Sequence, residues 1–296
     1  PAVTVAATYS HAEAASTTFQ TFTIVDTDTA GTYACSLGGN DAADFSASIS
    51  GKVCTITWAA NPDYENPADT GTNNVYDITI AFTDGANALG AQTTAITVTD
   101  VNDQAPAFTS SNAVDVAEGA TAVVTLAATD TDTADAAGLT YAIVTDDPGS
   151  GTQFALSGTT LTIAAQDYEN PGCGAGSDSL TCVVVVSATD AAGTATQQTI
   201  TVTITDVNDQ TPVFSSSAAV SVAEGTTAVV TLAATDTDTA DAGGLTYAIV
   251  TDDPGAGTQF SLTGAALSFS NAPNFDAPGC GAGSDSNTCT VTVSAT

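Results

Sequence analysis

Apolar and polar residues alternate with period two along most of this chain, and no stretch carries the spacing of an amphipathic helix. Residues 199–205 read Thr-Ile-Thr-Val-Thr-Ile-Thr, with threonine on one face and Ile200, Val202 and Ile204 on the other. Residues 94–99 repeat the pattern. Val123, Val124 and Leu126, and then Val183 to Val186, form β-branched runs suited to inner strands. Asp-Asp-Pro-Gly at 146–149 and 252–255 and other Gly, Asn and Asp clusters mark turns. About seven short strands per roughly 100 residues predict an all-β chain of Greek-key β-sandwiches. Trp58, Phe154, Phe260 and the series Tyr33, Tyr141, Tyr247 are its predicted core residues.

The pattern repeats on a larger scale. Asp-Val-Asn-Asp-Gln occurs at 100–104 and again at 206–210. Residues 117–154 and 223–260 differ only at Ala120/Thr226, Ala137/Gly243 and Ser150/Ala256. The first unit is more diverged but keeps Glu13, Asp26-Thr27-Asp28, Asp63-Tyr64-Glu65 and Asp84 at matching points. Three tandem sandwiches in a linear rod follow, at 1–103, 104–209 and 210–296, the third without its last strand. Near-identical units point to recent duplication and a longer array, of which this is a mature or excised segment.

A formal charge of −32 with one basic residue, Lys52, excludes nucleic acid and an anionic membrane surface as partners. No apolar run is long enough to span a membrane. Six cysteines fall two to a unit: Cys35 and Cys54, Cys173 and Cys182, Cys280 and Cys289. The last two pairs share one spacing and one Pro-Gly-Cys-Gly-Ala-Gly-Ser-Asp-Ser loop, which favours a disulfide within each unit and an oxidising, extracytoplasmic compartment. Zinc is disfavoured: there is no Cys-x-x-Cys, and His11 is the sole histidine. Cys35 aligns with Ile143 and Cys54 with Leu161, so that bridge stands in for a core contact between two strands.

Acidic residues are not spread evenly. Aspartate outnumbers glutamate 28 to 5, and every glutamate falls at a repeat position: Glu13, Glu118 and Glu224 early in the units, Glu65 and Glu169 closing Asp-Tyr-Glu. Asp130-Thr131-Asp132, Asp167-Tyr168-Glu169, Asp190 and Asp206-Val207-Asn208-Asp209 all lie where strands end. Alternation within Asp-Thr-Asp and Asp-Tyr-Glu is expected to put both acids on one side. The first seam then gathers Glu13, Asp63, Glu65, Asp100 and Asp103 with Asp130, Asp132 and Asp190. At about 5 Å each like-charge pair costs roughly 3 kcal/mol, so the counter-charge must come from outside. Carboxylates, an asparagine amide and carbonyls suit a hard cation with a large flexible shell, which is Ca²⁺ rather than Mg²⁺. Asp41, Asp44, Asp146 and Asp147 lie outside the motifs and read as solvated, salt-adapted acidity.

These residues resemble the extracellular repeats of cadherins, here of a prokaryotic surface-protein type. Asp-Val-Asn-Asp-Gln-Ala-Pro-Ala-Phe and Asp-Val-Asn-Asp-Gln-Thr-Pro-Val-Phe are similar to the cadherin linker motif, and the early Glu, Asp-Tyr-Glu, Asp-Thr-Asp and Asp190 follow in order over the whole chain. The resemblance implies three Ca²⁺ per seam. Ligands of the first would include Asn102 and the carbonyls of Val101, Gln104 and Ala136. Those of the second are Glu118, Asp167, Glu169, Asp206, Val207, Asn208, Asp209, Gln210, Asp236, Asp238 and Ala242. Asp26, Asp28 and Asp84 are expected to be half of a site whose other half lies upstream, and Glu224 and Asp276 half of one beyond, weakened by Asn274-Phe275-Asp276 in place of Asp-Tyr-Glu. Six such ions offset 12 of the 32 negative charges, so motif acids and general acidity are separate phenomena.

Other uses of the acids fit less well. An EF-hand starting at Asp130 would end on Tyr141 instead of glutamate, and Gly38-Gly39-Asn40-Asp41 is an isolated fragment of a glycine-rich calcium repeat. Catalysis is not expected, because no nucleophile–base pairing or phosphate loop is present. The expected role is a calcium-rigidified extracellular segment of a surface adhesin or stalk, with calcium, a cell-surface ligand or other copies of itself as partners. The alternative is the subunit of an extracellular filament, completed by strand addition from a neighbouring chain.

Overall fold

The computed structural model describes residues 1–27, 31–133, 138–146, 152–173, 179–238, 244–252, 258–280 and 286–296. The first sandwich contains β1 (Thr8–Ala12), β2 (Thr18–Thr23), β3 (Ala34–Gly38), β4 (Phe45–Ser50), β5 (Val53–Trp58), β6 (Val75–Thr83) and β7 (Ala88–Thr99). One sheet runs β1-β7-β6-β3 and the other β2-β5-β4. Only β1, which runs parallel to β7, departs from antiparallel pairing here. Alternation places Ile78, Ile80 and Phe82 of β6 and Ile96 and Val98 of β7 in one core with Phe22, Ile56 and Trp58 of the facing sheet. The Cys35–Cys54 disulfide joins β3 to β5, across the two sheets.

The second sandwich repeats this plan with its first two strands broken in two. It comprises β8 (Ala107–Phe108), β9 (Ala113–Ala117), β10 (Ala122–Thr125), β11 (Ala128–Thr129), β12 (Thr140–Thr145), β13 (Phe154–Ser157), β14 (Thr160–Ile163), β15 (Thr181–Thr189) and β16 (Ala195–Thr205). Sheets β12-β15-β16-β9 and β10-β14-β13 face each other, and β8 pairs with β11. As the alternation predicts, Ile200, Val202 and Ile204 are buried, and Val183–Val186 lie on the inner strand β15. Val123 and Val124, expected on an inner strand, lie instead on the edge strand β10. A register slip between Ala122 and Val124 lets both valines pack on the core, so their burial comes from the facing sheet and not from a second strand neighbour. Trp58, Phe154 and Phe260 are core residues as expected, while Tyr33, Tyr141 and Tyr247 pack against the core half-buried.

In the third unit β17 (Val213–Phe214), β18 (Ala228–Thr231), β19 (Ala234–Thr235), β20 (Tyr247–Thr251), β21 (Phe260–Thr263), β22 (Ala266–Phe269) and β23 (Thr292–Ala295) pair as β17-β19, β18-β22-β21 and β20-β23. The sequence contains no counterpart of β16. Residues 219–223, which match β9, accordingly form no strand, because β16 is the strand that β9 pairs with. The buried cluster shrinks with it to Leu232, Phe260 and Leu267. Cys173–Cys182 and Cys280–Cys289 are bridged, as the repeated loop predicts. Among the described residues no helix is long and apolar enough to cross a membrane.

Candidate metal centre

The early glutamates close each unit on itself. Glu13, 3% exposed, accepts the Tyr64 N–H on Oε2 at 2.6 Å and the Val101 N–H on Oε1 at 2.7 Å. Glu118 accepts the Tyr168 and Val207 N–H groups in the same way, at 2.8 and 2.7 Å. One carboxylate thus ties the Asp-Tyr-Glu segment to the linker, a role that reading these residues only as ligands missed. Glu224 keeps half of it, accepting the Phe275 N–H at 3.1 Å.

Alternation does not orient the paired acids. Both tripeptides are turns closed by their own first side chain. Asp130 Oδ1 accepts the Asp132 N–H at 3.1 Å, and Asp167 Oδ1 accepts the N–H groups of Glu169 and Asn170 at 3.0 Å. Asp63 Oδ1 accepts from Asn66 likewise. In the third unit the amide oxygen of Asn274 accepts the Asp276 N–H at 3.0 Å, so the turn survives there without its first charge.

These turns bring acids from successive units together. Carboxylate oxygens of Glu13, Glu65 and Asp100 lie within 4.8 Å of one another, and so do those of Glu65, Asp103 and Asp132. At the second seam Glu118, Asp167 and Glu169 form one such group, and Glu169, Asp209 and Asp238 the next. Glu65 and Glu169 each belong to two groups. Direct bonds also cross the seams: Asp132 Oδ2 accepts the Gln104 N–H at 2.8 Å, and Asp238 Oδ2 accepts that of Gln210 at 2.8 Å. Thr133 donates its N–H, at 2.7 Å, and its hydroxyl to Asp100 Oδ2.

The acid groups and the acids near them are short of donors. Both oxygens of Glu65 and Glu169, and one each of Asp100, Asp130, Asp132, Asp190, Asp236 and Asp238, are buried without a hydrogen-bond partner. Asp132 and Asp238 are each 3% exposed. Buried polar groups are nearly always satisfied, so such a concentration needs a ligand. Burial, reinforced by the charges of Glu13, Asp132 and Asp100, pushes Glu65 up to about 7. Burial raises Asp132 as well, with Asp130, Asp100 and Asp103 adding to it. Glu169 rises through burial and the charges of Glu118, Asp238 and Asp206. Lys52 gives no relief, since its Nζ donates to the Asp26 carbonyl at 2.8 Å and sits over the Tyr33 ring.

Asp130 and Asp236 lie outside these groups, and the other expected ligands outside them fall into three sets. Asp63 is exposed and Asp190 is buried, each at a strand end but outside the close clusters. Val101, Asn102, Gln104, Val207, Asn208 and Gln210 lie in the linkers that carry Asp100, Asp103, Asp206 and Asp209. Asp28, Ala136, Ala242 and Asp147 lie outside the described residues. Two of the half-site acids, Asp84 and Asp26, take hydrogen bonds within their own unit. Hydrogen bonds from Asn87 and Ala86 hold Asp84 below the ordinary carboxylate range, and Asp26 accepts the Tyr33 hydroxyl at 3.2 Å. In Asp190, by contrast, one oxygen takes the Thr194 N–H at 2.7 Å and the other has no donor.

Asp41 corrects the expectation of solvated surface acidity. It is 4% exposed and accepts the Thr70 N–H and hydroxyl and the Asp77 N–H. Burial works against its charge, but those bonds outweigh it and hold Asp41 below its ordinary value. Asp69, not singled out by the sequence, is 3% exposed and accepts the N–H groups of Gly71, Asn73 and Asn74 at 2.9–3.1 Å. Its signal was its position: it stands six residues after Asp63, as Cys173 stands six after Asp167.

No family model matches the chain. Half of it is 32% identical over 157 residues to human protocadherin gamma-A5. Its fold is that of the protocadherin gamma B2 extracellular cadherin domains 3-6, with a TM-score of 0.63 and 21% identity, over 99% of this chain and 71% of that one. Its units share the fold of cadherin extracellular domains. The protocadherin gammaB4 extracellular domain gives a TM-score of 0.62 at 22% identity, over 90% of this chain and 45% of that one. Human CDH23 EC21-23 gives 0.60 at 20% identity, over 91% and 89%. The matched stretch spans 16% of the human protocadherin's length.

Proposed function

We propose that this chain is an extracellular adhesive or stalk segment whose cadherin-like units, 1–103, 104–209 and 210–296, are made rigid by about three calcium ions at each seam. The observation that carries the reading is the set of buried carboxylate oxygens without donors. At the first seam Glu13, Asp63, Glu65, Asp100, Asn102 and Asp103 would join Asp130, Asp132 and Asp190 as ligands, with the Val101 and Gln104 carbonyls adding to the shells. The second seam would use the corresponding residues from Glu118 to Asp238. Their all-oxygen donor set, rich in carboxylates, fits calcium.

A bound calcium ion would supply the positive charge that the chain lacks. Without it, the acids facing each other across a seam repel, and the adjoining sandwiches are free to tilt. With the charge balanced, the Gln104–Asp132 and Gln210–Asp238 bonds hold the linker against the following unit. Affinities near 10⁻⁴–10⁻³ M are expected of extracellular modules, so ambient calcium sets the stiffness. Small-angle scattering in calcium and then in chelator tests this. A longer, narrower distance distribution in calcium is expected, and an envelope indifferent to chelator would refute it.

A further inference from the structure

The second seam has a support that the first lacks. Gln166, directly before Asp167, is 8% exposed and wedged between the ligand segment and the Cys173–Cys182 bridge. Its Nε2 donates to the Ala164 carbonyl at 2.7 Å and to Gln153 Oε1 at 3.0 Å. Its Oε1 lies 3.5 Å from Cys173 Sγ, a contact and not a hydrogen bond, because a bridged sulfur carries no proton. A Cβ on Gly172 would stand 3.0 Å from that oxygen, so Gly172 leaves the side chain room there. The Gln166 carbonyl accepts the Gly119 N–H at 2.9 Å, beside Glu118, while the next residue but one, Tyr168, donates to Glu118. One residue therefore touches the disulfide through its side chain and the glutamate-bound segment through its backbone. The matching positions in the other units are Pro62 and Pro273, which have no side-chain amide to reach a bridge, although the Pro273 carbonyl keeps the backbone contact by accepting the Gly225 N–H at 2.9 Å.

We propose that Gln166 is a positioning residue of the second seam: it couples the Cys173–Cys182 bridge to Asp167 and Glu169, so that cation affinity at this seam alone depends on both. The inference rests on the calcium reading of the seams. Groups that orient metal ligands typically change affinity by ten- to a hundredfold when removed. The first seam has no such dependence, because Asp69 and Tyr76 occupy the places of Cys173 and Cys182.

Calcium titration calorimetry on the whole chain separates the two seams. One background carries Asp100→Asn with Asp103→Asn and reports the second seam; the other carries Asp206→Asn with Asp209→Asn and reports the first. Gln166→Ala is expected to weaken calcium binding about tenfold in the first background and to leave the second unchanged. Gln166→Pro, which restores the residue of both other units, should do the same and guards against a folding defect. Cys173→Ala with Cys182→Ala should weaken the second seam similarly, and adding Gln166→Ala to it should change little further. Equal losses at both seams, no loss at the second, or additive effects of Gln166 and the bridge would overturn the proposal. If the unsubstituted chain takes up no calcium at all, the reading of the seams fails and the proposal falls with it. That outcome is distinct from normal binding that is indifferent to Gln166.

Discussion

In the first unit the loop after Asp63-Tyr64-Glu65 winds around a buried carboxylate; in the second, the loop after Asp167-Tyr168-Glu169 is closed by a disulfide. Asp69 stands where Cys173 does, and Tyr76 where Cys182 does. Asp69 collects three backbone N–H groups, and the Tyr76 hydroxyl accepts the Ala68 N–H at 3.1 Å. The exchange is reciprocal. The first unit places Cys35–Cys54 between its sheets, at the positions of Ile143 and Leu161 in the second. Two tasks, holding a loop near the ligands and holding two sheets together, are therefore met by opposite chemistries in neighbouring units. The loop needs many backbone donors satisfied or a covalent tie. The sheets need only filled volume or a covalent tie. That difference predicts which substitutions are tolerated.

The largest effect should come from Asp69→Ala. It leaves three N–H groups of that loop without their acceptor, and about 3 kcal/mol of the first unit's stability should be lost in a denaturant titration followed by Trp58 fluorescence. A loss below about 1 kcal/mol would mean that water replaces the carboxylate and that the two loops are not equivalent. Next, Cys173→Ala with Cys182→Ala should cost the second unit roughly 2–3 kcal/mol, with the Trp58 transition unmoved. A shift of the Trp58 transition would show that the units do not unfold independently.

A smaller effect separates the seams from the rest of each unit. Glu65 titrates near 7, above its ordinary 4.5. Between those values the folded, metal-free chain keeps a proton that the unfolded chain has released. Its stability in chelator should therefore fall as pH rises through this window. Calcium binding needs Glu65 ionised, so affinity at the first seam should run the other way, weakening about tenfold from pH 8 to pH 6. Glu65→Gln should flatten the metal-free pH dependence; an unchanged slope would remove Glu65 as its cause. The smallest effect is expected for Cys35→Ile with Cys54→Leu, which copies the second unit's contact. Apolar packing replaces the bridge, and a loss of about 1 kcal/mol is expected on thermal melting. A loss as large as that of the Cys173–Cys182 pair would sink the idea that filled volume suffices between the sheets.

Much of the fold was legible because period-two alternation is a local property. Ile200, Val202 and Ile204 announce both their strand and the face they bury. The acid motifs were legible as a set, since they recur in register from unit to unit. What escaped was geometry set by side chains folding back on the backbone. Asp-Tyr-Glu looks extended by alternation, yet Asp167 bends it into a turn. Asp41 looks like surface charge, yet Thr70 and Asp77, distant in sequence, bury and satisfy it. Val124 shows a similar limit: a β-branched pair reveals that it is buried, not whether its strand sits inside a sheet or at its edge.

By itself the sequence determined the all-β class, the repeated units, the disulfide pairs and the recurring acid motifs. Those follow from residue type and spacing, which need no partner to be read. Tertiary structure decided which acids share a site, that Glu13 and Glu118 also tie the linker to Asp-Tyr-Glu, and that Asp69 and Cys173 do the same work. Those outcomes depend on which backbone donors reach each carboxylate. Donors some 50 to 90 residues away in the chain, such as Tyr64 and Val101 for Glu13, become neighbours only when the sheets close.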